Sequence, residues 1–294
     1  MRKILKIILW IIIIVLIIAG AIYLRPAWTP RIKSEKNKLA VSSLEKIELG
    51  NLKQSVLIRT KNINNPIILF LHGGPGMPLM YLSYKFQRPL ENHFTVVQWD
   101  QRGAGKSYDP EIPIQSINVE QYISDARQLI DTLRNRYHQK KIFIVGHSWG
   151  TYLASILVTR YPDLFYAYIS VGQVVDDEKE KKIQREFLWT EAKINNDTAL
   201  ISRLENPGFK SYESWLFKYG GELKHSKNIT PLLITGLLSP EYTFKDALNV
   251  AKGPQFCNKH MKYNAIQGSI FDNLTKYDIP VYFLRQPSIV AIGR

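Results

Sequence analysis

The feature that most constrains this sequence is a serine flanked by glycines at the end of a short apolar run. Residues 142–150 read IFIVGHSWG, and the following residues to position 160 have helical spacing. A serine on such a sharp strand-to-helix turn needs small residues two positions before and after it, because Cβ atoms there would clash. Gly146 and Gly150 meet that need, so Ser148 is a candidate nucleophile. The N–H of Trp149, at the start of the predicted helix, is a candidate oxyanion donor.

A second glycine-rich segment follows another continuous apolar run, residues 67–71. It consists of His72, Gly73, Gly74, Pro75 and Gly76. Glycine lets the backbone approach a ligand closely and turn an N–H group toward it. We therefore predict an active-site loop after a buried strand, although an ordinary Gly-Pro turn has the same composition. His72 is predicted to be a structural histidine of this loop rather than a general base.

A third segment, residues 99–107, reads WDQRGAGKS and also follows an apolar run. Its last three residues mimic the end of a phosphate-binding loop. That loop requires glycine five positions before Gly105, where this chain has Asp100. The segment also lies outside the first strand–loop–helix unit of the chain, so a nucleotide site is not expected.

Elsewhere, short apolar runs alternate with helical spacing. In residues 119–136 the apolar side chains fall on one helix face, and Asp125 is predicted to lie away from it. Continuous apolar runs indicate strands buried on both sides, so we predict an α/β fold with a mostly parallel sheet and helices on both faces. From about 175 to 276 helical spacing dominates, which predicts a helical insertion. The predicted strands are 54–59, 67–71, 95–99, 142–145, 166–171 and 279–284, and the predicted helices of the core are 119–136 and 149–160.

The N-terminal segment is predicted to anchor the chain in a membrane. Residues 7–24 carry no charge, and at about 1.5 Å per residue they extend roughly 27 Å, close to the thickness of the hydrocarbon core. Trp10 and Tyr23 lie toward its ends, where aromatic rings favour the interface. Cleavage near Ala21 is the alternative, because Ala-Gly-Ala at 19–21 resembles a signal-peptidase site and would give a secreted protein. The basic N-terminus favours a single-pass anchor with the main domain on the extracytoplasmic side.

Charge and cysteine content argue against several classes of function. Eight of the 39 basic residues but one of the 25 acids lie in residues 1–38, so this segment carries half of the net charge of +14. The rest is spread thinly, without a basic stripe interleaved with aromatic residues, so no nucleic-acid partner is expected. A single cysteine, Cys257, excludes an internal disulfide and a cysteine-cluster zinc site in this sequence.

The segments HGGPG, WDQRGAGKS and GHSWG stand together in the order and rough spacing of a known family. Over about residues 39–284, the chain resembles the α/β-hydrolase serine peptidases of the prolyl aminopeptidase (proline iminopeptidase) type. The resemblance implies an α/β-hydrolase fold in which the helical insertion is the cap. It also implies removal of an N-terminal residue, often proline, from short peptides, without a metal or other cofactor.

The resemblance further implies roles for individual residues. Ser148 is the nucleophile, and the backbone N–H groups of Trp149 and Gly74 form the oxyanion hole. Asp100 and Arg102 are structural members of the active-site wall.

Substrate and activity class remain open at this point. Acidic cap residues hold the substrate amine in the family, and Glu186 and Glu191 are candidate equivalents, although ordinary solvated glutamates have the same pattern. The same serine turn serves esterases and lipases, so a small ester is the alternative to a short peptide. A catalytically inactive, membrane-bound binding protein is the alternative from another class. Epoxide-hydrolase or dehalogenase chemistry is not expected, because it uses a carboxylate where this chain has Ser148.

The chain departs from the family after the last predicted strand. The resemblance places the triad acid in the loop after 279–284 and the triad histidine beyond one more strand. No acid follows Asp278 and no histidine follows His260. The triad acid and base are therefore predicted to be absent, with the last strand and helix of the core.

Three histidines are candidate substitutes for the missing base. The turn geometry is expected to direct the His147 side chain away from the nucleophile, and His225 and His260 are expected to have surface or packing roles in the cap. The predicted organisation is a transmembrane anchor (1–24), a basic linker (25–38), the first part of the core (39–175), a helical cap (176–276) and a shortened remainder of the core (277–294).

A frameshift or premature stop in the coding sequence is the expected origin of this departure. Translation of the DNA downstream of codon 294 in all three frames should then show a strand-like segment followed by a histidine. Finding no such segment would contradict the expectation.

Overall fold

The computed structural model describes residues 2–34, 36, 38–206, 208–209, 212–221, 230–261 and 276–284. Seven strands lie in this part of the chain: β1 (Val41–Leu49), β2 (Leu52–Thr60), β3 (Ile67–Leu71), β4 (Thr95–Trp99), β5 (Ile142–His147), β6 (Phe165–Val171) and β7 (Val281–Leu284). They form one sheet in the spatial order β1-β2-β4-β3-β5-β6-β7. β1 and β2 pair antiparallel with their neighbours, and the remaining pairs are parallel.

The described α-helices are α1 (Arg2–Leu24), α2 (Met80–Phe86), α3 (Val119–Arg136), α4 (Trp149–Arg160), α5 (Asp177–Ile194), α6 (Thr198–Glu205), α7 (Glu213–Tyr219), α8 (Thr230–Leu237) and α9 (Phe244–His260). The buried faces of α3 and α4 pack on one side of the sheet, against residues such as Leu69 and Ile144. The alternate residues, Ile68 and Val145, belong to a second apolar layer. The predicted α/β class with a mostly parallel sheet is confirmed.

The hairpin of β1 and β2 was not fully predicted. Residues 41–49 alternate weakly and contain many polar side chains, so no strand was assigned to them. The structure pairs Leu49 with Leu52 across a two-residue turn, in which Gly50 and Asn51 have φ angles of 53° and 60°. Two positive φ angles define the tight turn that suits a twisted hairpin. The Gly-Asn pair between two β-like runs was the signal for this strand.

Helices α5 to α9 lie in the described residues between β6 and β7, where the spacing predicts helices. α5, α6 and α7 share a small apolar cluster of their own, centred on Leu188, Leu200 and Leu216. β7 begins two residues later than predicted and lies at the edge of the described sheet. Its side chains Tyr282, Phe283 and Leu284 are more than half exposed. The expected loop at 285–294 lies outside the described residues.

The N-terminal helix α1 is apolar on all sides from residue 7 to residue 24. Its segment from Lys6 to Leu24 has a mean hydropathy of 3.2 and is not buried against the rest of the protein. A helix of this length and composition is long enough to cross a membrane, and a signal sequence has the same properties.

The segment after α1, predicted as a linker, is packed against the body along its first part. The Arg25 guanidinium donates to the carbonyls of Ser239 and Tyr242 at 2.5 and 3.0 Å. The Trp28 N–H donates to the Pro240 carbonyl at 2.9 Å, and the Thr29 hydroxyl to the Glu241 carboxylate at 3.2 Å. These bonds bind the chain directly after α1 to the segment between α8 and α9.

Arg59 links this segment to the sheet. Its guanidinium pairs with the buried Glu91 carboxylate at 2.7 Å. It also donates to the Thr29 hydroxyl at 2.6 Å and to the Pro30 carbonyl at 2.7 Å. Removing the cation would leave Glu91 charged and buried, which costs more than the loss of an exposed pair.

We therefore expect Arg59→Ala to lower the free energy of unfolding of the full chain by about 3–5 kcal/mol. Arg160→Ala is the matched control, because the Arg160–Glu120 pair is largely exposed and should contribute less than about 1 kcal/mol. Chemical denaturation in detergent measures both. Equal losses in the two variants would contradict the importance of the buried pair.

Candidate active site

The structure places Ser148 on a strained turn between β5 and α4. Ser148 has φ 50° and ψ −121°, a backbone conformation that residues other than glycine rarely adopt. A Cβ atom on Gly146 would lie 2.6 Å from the Gly150 carbonyl oxygen, and one on Gly150 would lie 2.8 Å from the His72 carbonyl oxygen and collide with that of Leu71. The two glycines therefore let the backbone segments approach closely enough to hold the serine in this conformation.

Backbone contacts fix Ser148 at this position. Its N–H donates to the Val171 carbonyl at the end of β6, at 3.0 Å. Its carbonyl accepts from the Thr151 N–H at 2.8 Å and from the Thr151 hydroxyl at 2.6 Å. Trp149 is the first residue of α4, where the backbone amides carry the positive end of the helix dipole. A developing negative charge beside Ser148 would be stabilised there.

The glycine loop after β3 packs directly on this turn. A Cβ atom on Gly73 would lie 3.2 Å from Ser148 Cβ and 3.3 Å from His147 Nδ1. Gly74, the predicted second oxyanion donor, has φ 114°, and a Cβ there would lie 2.6 Å from the Gly76 nitrogen. Gly73 thus lies against Ser148, and Gly74 is the next residue of the loop. The donor role of Gly74 stays a prediction.

His72 is fully engaged in holding the loop. Its Nε2 accepts the Gln101 N–H at 3.0 Å, and its Nδ1 lies 2.8 Å from the Gly73 carbonyl. Because Nε2 is the acceptor, the ring proton is on Nδ1 and is donated to Gly73. Burial lowers the pKa of His72 to about 4, so the ring is neutral at physiological pH. This geometry suits a structural histidine.

His147 lies beside the glycine loop. A Cβ atom on Gly73 would lie 3.3 Å from its Nδ1, and the residue remains exposed. The expectation that its ring is directed away from the nucleophile stays a prediction.

Asp100 lies buried at the end of β4. Its Oδ2 accepts the Lys106 N–H at 2.8 Å and the Tyr242 hydroxyl. The Lys106 ammonium instead pairs with Asp246 on α9 at 2.6 Å. Burial raises the pKa of Asp100 to about 7, because no cation compensates the desolvation of its carboxylate by direct contact.

Arg102 makes a buried ion pair that the sequence analysis missed. Its guanidinium contacts the Asp125 carboxylate at 2.9 Å and the Gly50 carbonyl at 2.9 Å. Asp125 was predicted to lie away from the apolar face of α3, but it is fully buried, and Gln54 also donates to it at 2.6 Å. The prediction was wrong because three hydrogen-bonding partners, Arg102, Gln54 and Gln121, compensate the burial of this carboxylate. The available signal for its burial was the position of Asp125 on α3, three residues after Tyr122 and directly before Ala126, both of which are buried.

Within the described residues, neither predicted cap glutamate has a hydrogen bond to Ser148. Glu186 is exposed, and Glu191 accepts a hydrogen bond from Asn195 within its own helix turn at 3.4 Å. His260 is half-buried and its ring lies against Phe256, with 5.0 Å between centroids. His225 and the residues from 285 onward lie outside the described part. Within the described residues, the hydrogen bonds of Ser148 are those of its backbone.

Comparison with known proteins identifies the class to which this fold and site belong. The family model of the alpha/beta hydrolase fold matches residues 66–213, a range that contains all three motifs. The chain belongs to that family.

Similar proteins include two hydrolases named as peptidases. The probable aminopeptidase YbaC of Bacillus subtilis (strain 168) is 29% identical over 260 residues, which cover 85% of this chain and 81% of that protein. The probable proline iminopeptidase of Leptolyngbya boryana is 31% identical over 119 residues, 40% of this chain and 35% of that protein.

A solved structure supports the fold. The epoxide hydrolase VrEH1 from Vigna radiata superimposes with a TM-score of 0.50 at 20% identity, covering 83% of this chain and 79% of that chain. The aminopeptidase-named relatives and the fold together support a hydrolase.

The raised pKa of Asp100 predicts a specific pH dependence. Between its ordinary value of 3.8 and about 7, the folded chain retains a proton that the unfolded chain has lost. The contribution of Asp100 to the free energy of unfolding therefore falls as pH rises through this window, by up to about 1.4 kcal/mol per pH unit.

Asp100→Asn removes this titration while retaining an acceptor for Tyr242. We expect the stability of the wild type to decrease relative to the variant from pH 5 to pH 8. Chemical denaturation of both full chains in detergent, at matched pH values, measures the difference. Parallel pH profiles would contradict the assignment.

Proposed function

We propose that this chain is a membrane-anchored serine hydrolase of the aminopeptidase type that acts on short peptides. The observation that carries the proposal is Ser148 with a positive φ angle on the turn between β5 and α4, with the glycine loop after β3 against it. In this arrangement the Ser148 hydroxyl would lie beside the N-terminus of α4 and beside the backbone of the glycine loop. Both features serve nucleophilic attack on a carbonyl carbon.

In the proposed reaction, Ser148 Oγ attacks the carbonyl carbon of the scissile bond and loses its proton to a base. The negative charge on the carbonyl oxygen is stabilised by the Trp149 N–H and by an N–H of the glycine loop. Collapse of the intermediate breaks the C–N bond, and the protonated base returns its proton to the nitrogen of the departing peptide. The acyl-enzyme that remains is hydrolysed by water, whose proton goes to the base and then to Ser148 Oγ.

No described side chain makes a hydrogen bond to the Ser148 hydroxyl. His72 is neutral and occupied at both ring nitrogens, so it is unsuited to accept the Ser148 proton. The described contacts therefore assign neither the base nor its orienting carboxylate. Without them, residual catalysis rests on the oxyanion donors and substrate binding, about 10³–10⁴-fold above the reaction in water.

A fluorophosphonate probe tests the nucleophile. We expect the full chain, in detergent or vesicles, to be labelled at Ser148, and Ser148→Ala to abolish the label. Ser124→Ala is the control, because Ser124 is an exposed serine on α3 and its loss should leave the label unchanged. Labelling that persists in Ser148→Ala would contradict the proposal. A folded, unlabelled wild type would favour the binding-protein alternative.

The substrate class rests on the relatives and on the three motifs. Two similar proteins are named as an aminopeptidase and a proline iminopeptidase. Epoxide hydrolases share the fold, but their chemistry needs a carboxylate at the position of Ser148. We therefore expect the chain to hydrolyse a proline arylamide in preference to a short acyl ester of matched leaving group. Preference for the ester would instead favour an esterase.

Membrane anchoring by α1 is also part of the proposal. Its support is the uncharged run of residues 7–24, the basic residues on both sides and the exposure of the helix along its length. The basic N-terminus favours a catalytic domain on the extracytoplasmic side.

A further inference from the structure

Helix α8 presents an apolar face that the described part of the protein leaves uncovered. Leu233, Ile234, Leu237 and Leu238 are 50–62% exposed. Their spacing places them on one face, because residues four apart lie above one another on a helix. Adjacent exposed aliphatic side chains of this size usually mark a contact with a partner or a membrane.

The opposite side of α8 is fixed to the body. Gly236 is buried against the Tyr81 ring, which approaches so closely that a Cβ atom at position 236 would lie 2.5 Å from it. The Tyr84 hydroxyl donates to the Thr235 carbonyl at 3.0 Å. α2 thus holds the helix, and the aliphatic face is turned outward as a consequence of this packing.

The C-terminal end of α8 lies beside the point where α1 ends. Arg25, the first residue after α1, donates to the carbonyl of Ser239 at 2.5 Å and lies 3.5 Å from that of Leu237. Tyr23 in the last turn of α1 packs against Phe244 of α9, with 5.9 Å between ring centroids. The Arg25 side chain therefore joins the end of α1 directly to the C-terminal end of α8.

This proximity determines which partner suits the aliphatic face. If α1 crosses the bilayer, its end lies at the lipid–water boundary, where the exposed rings of Tyr23 and Trp28 are favoured. α8 has eight residues, so it is about 12 Å long and too short to span a membrane. A short helix with one apolar face beside an anchor suits an in-plane position at the boundary.

We propose that α8 is a second membrane contact, lying in the plane of the bilayer surface with its four aliphatic side chains among the acyl chains. The inference rests on the anchoring by α1 proposed above. Two contacts joined by Arg25 would hold the catalytic domain in one orientation on the lipid surface, whereas a single helix on a free linker would let it rotate.

The native chain allows a direct measurement. Its single cysteine, Cys257, is fully buried, so a cysteine introduced on the surface can be labelled selectively with the environment-sensitive fluorophore NBD. Ile234→Cys places the label on the aliphatic face of α8. Ile114→Cys is the matched control, because Ile114 is an exposed isoleucine before α3. Both full-length variants are reconstituted in phosphatidylcholine–phosphatidylglycerol vesicles that contain doxyl-labelled lipids.

We expect blue-shifted emission at position 234 and at least about twofold stronger quenching by the doxyl lipids than at position 114. Equal quenching at the two positions would overturn the inference. So would fluorophore self-quenching at position 234 that increases with the protein-to-lipid ratio, because it would assign the face to a second copy of the chain.

Carbonate extraction of the same vesicles separates this inference from the anchor. Chains that resist extraction but show equal quenching at the two positions would retain the α1 anchor and overturn the role of α8. Chains that carbonate releases would overturn the anchor. In those chains, selective quenching at position 234 before release would still support membrane contact by α8.

Discussion

The close approach of three backbone segments at the ends of β3 and β5 is the constraint on which the site depends. Gly150 lies against the carbonyls at the end of β3, Gly146 lies against the first turn of α4, and Gly73 lies against Ser148. The order β4-β3-β5 places three parallel strands side by side, so the loops that follow them meet at one edge of the sheet. His72, in the loop after β3, accepts a hydrogen bond from the Gln101 N–H and so joins this loop to the loop after β4.

Buried polar groups connect this edge to the helices around it. The Arg102–Asp125 pair joins the loop after β4 to α3. Asp100 joins the same loop to Tyr242, and the Lys106–Asp246 pair extends the connection to α9. This arrangement destabilises the charged form of Asp100, because its carboxylate is desolvated while the Lys106 ammonium pairs with Asp246. The glycine loop after β3, which carries the second proposed oxyanion donor, is joined to the loop after β4 by the His72–Gln101 hydrogen bond. It also packs directly on α9, where Gly76 lies against the Gly253 carbonyl.

The N-terminal region extends these connections to the proposed membrane surface. Arg25, Trp28 and Thr29 bind the segment between α8 and α9. Arg59, on β2 of the sheet, in turn donates a hydrogen bond to Thr29. This segment was predicted as a linker because its prolines and basic residues give it no secondary-structure pattern. Such residues can still pack when each polar group finds a partner, and those partners come from distant parts of the sequence.

Local patterns were sufficient for much of the fold and for the centre of the site. Continuous apolar runs predicted β3, β4, β5 and β6 to within two residues at each end, and periodic spacing predicted α3 and α4. Gly146, Ser148 and Gly150 indicated the turn because its steric requirement is met by three residues in one short segment. The polar strand β1 was missed, because its pairing depends on the Gly-Asn turn and on β2.

By itself, the sequence determined the glycine-flanked turn with its candidate nucleophile, the order of the three motifs and the apolar N-terminal helix, since each is a property of contiguous residues. Only the tertiary structure decided that Asp125 is buried beneath Arg102, that His147 lies beside the glycine loop and that Arg25 reaches the end of α8. These contacts join residues far apart in the chain. Whether a charged side chain is solvated or buried depends on the partners that the fold brings to it, and local spacing contains no information about them.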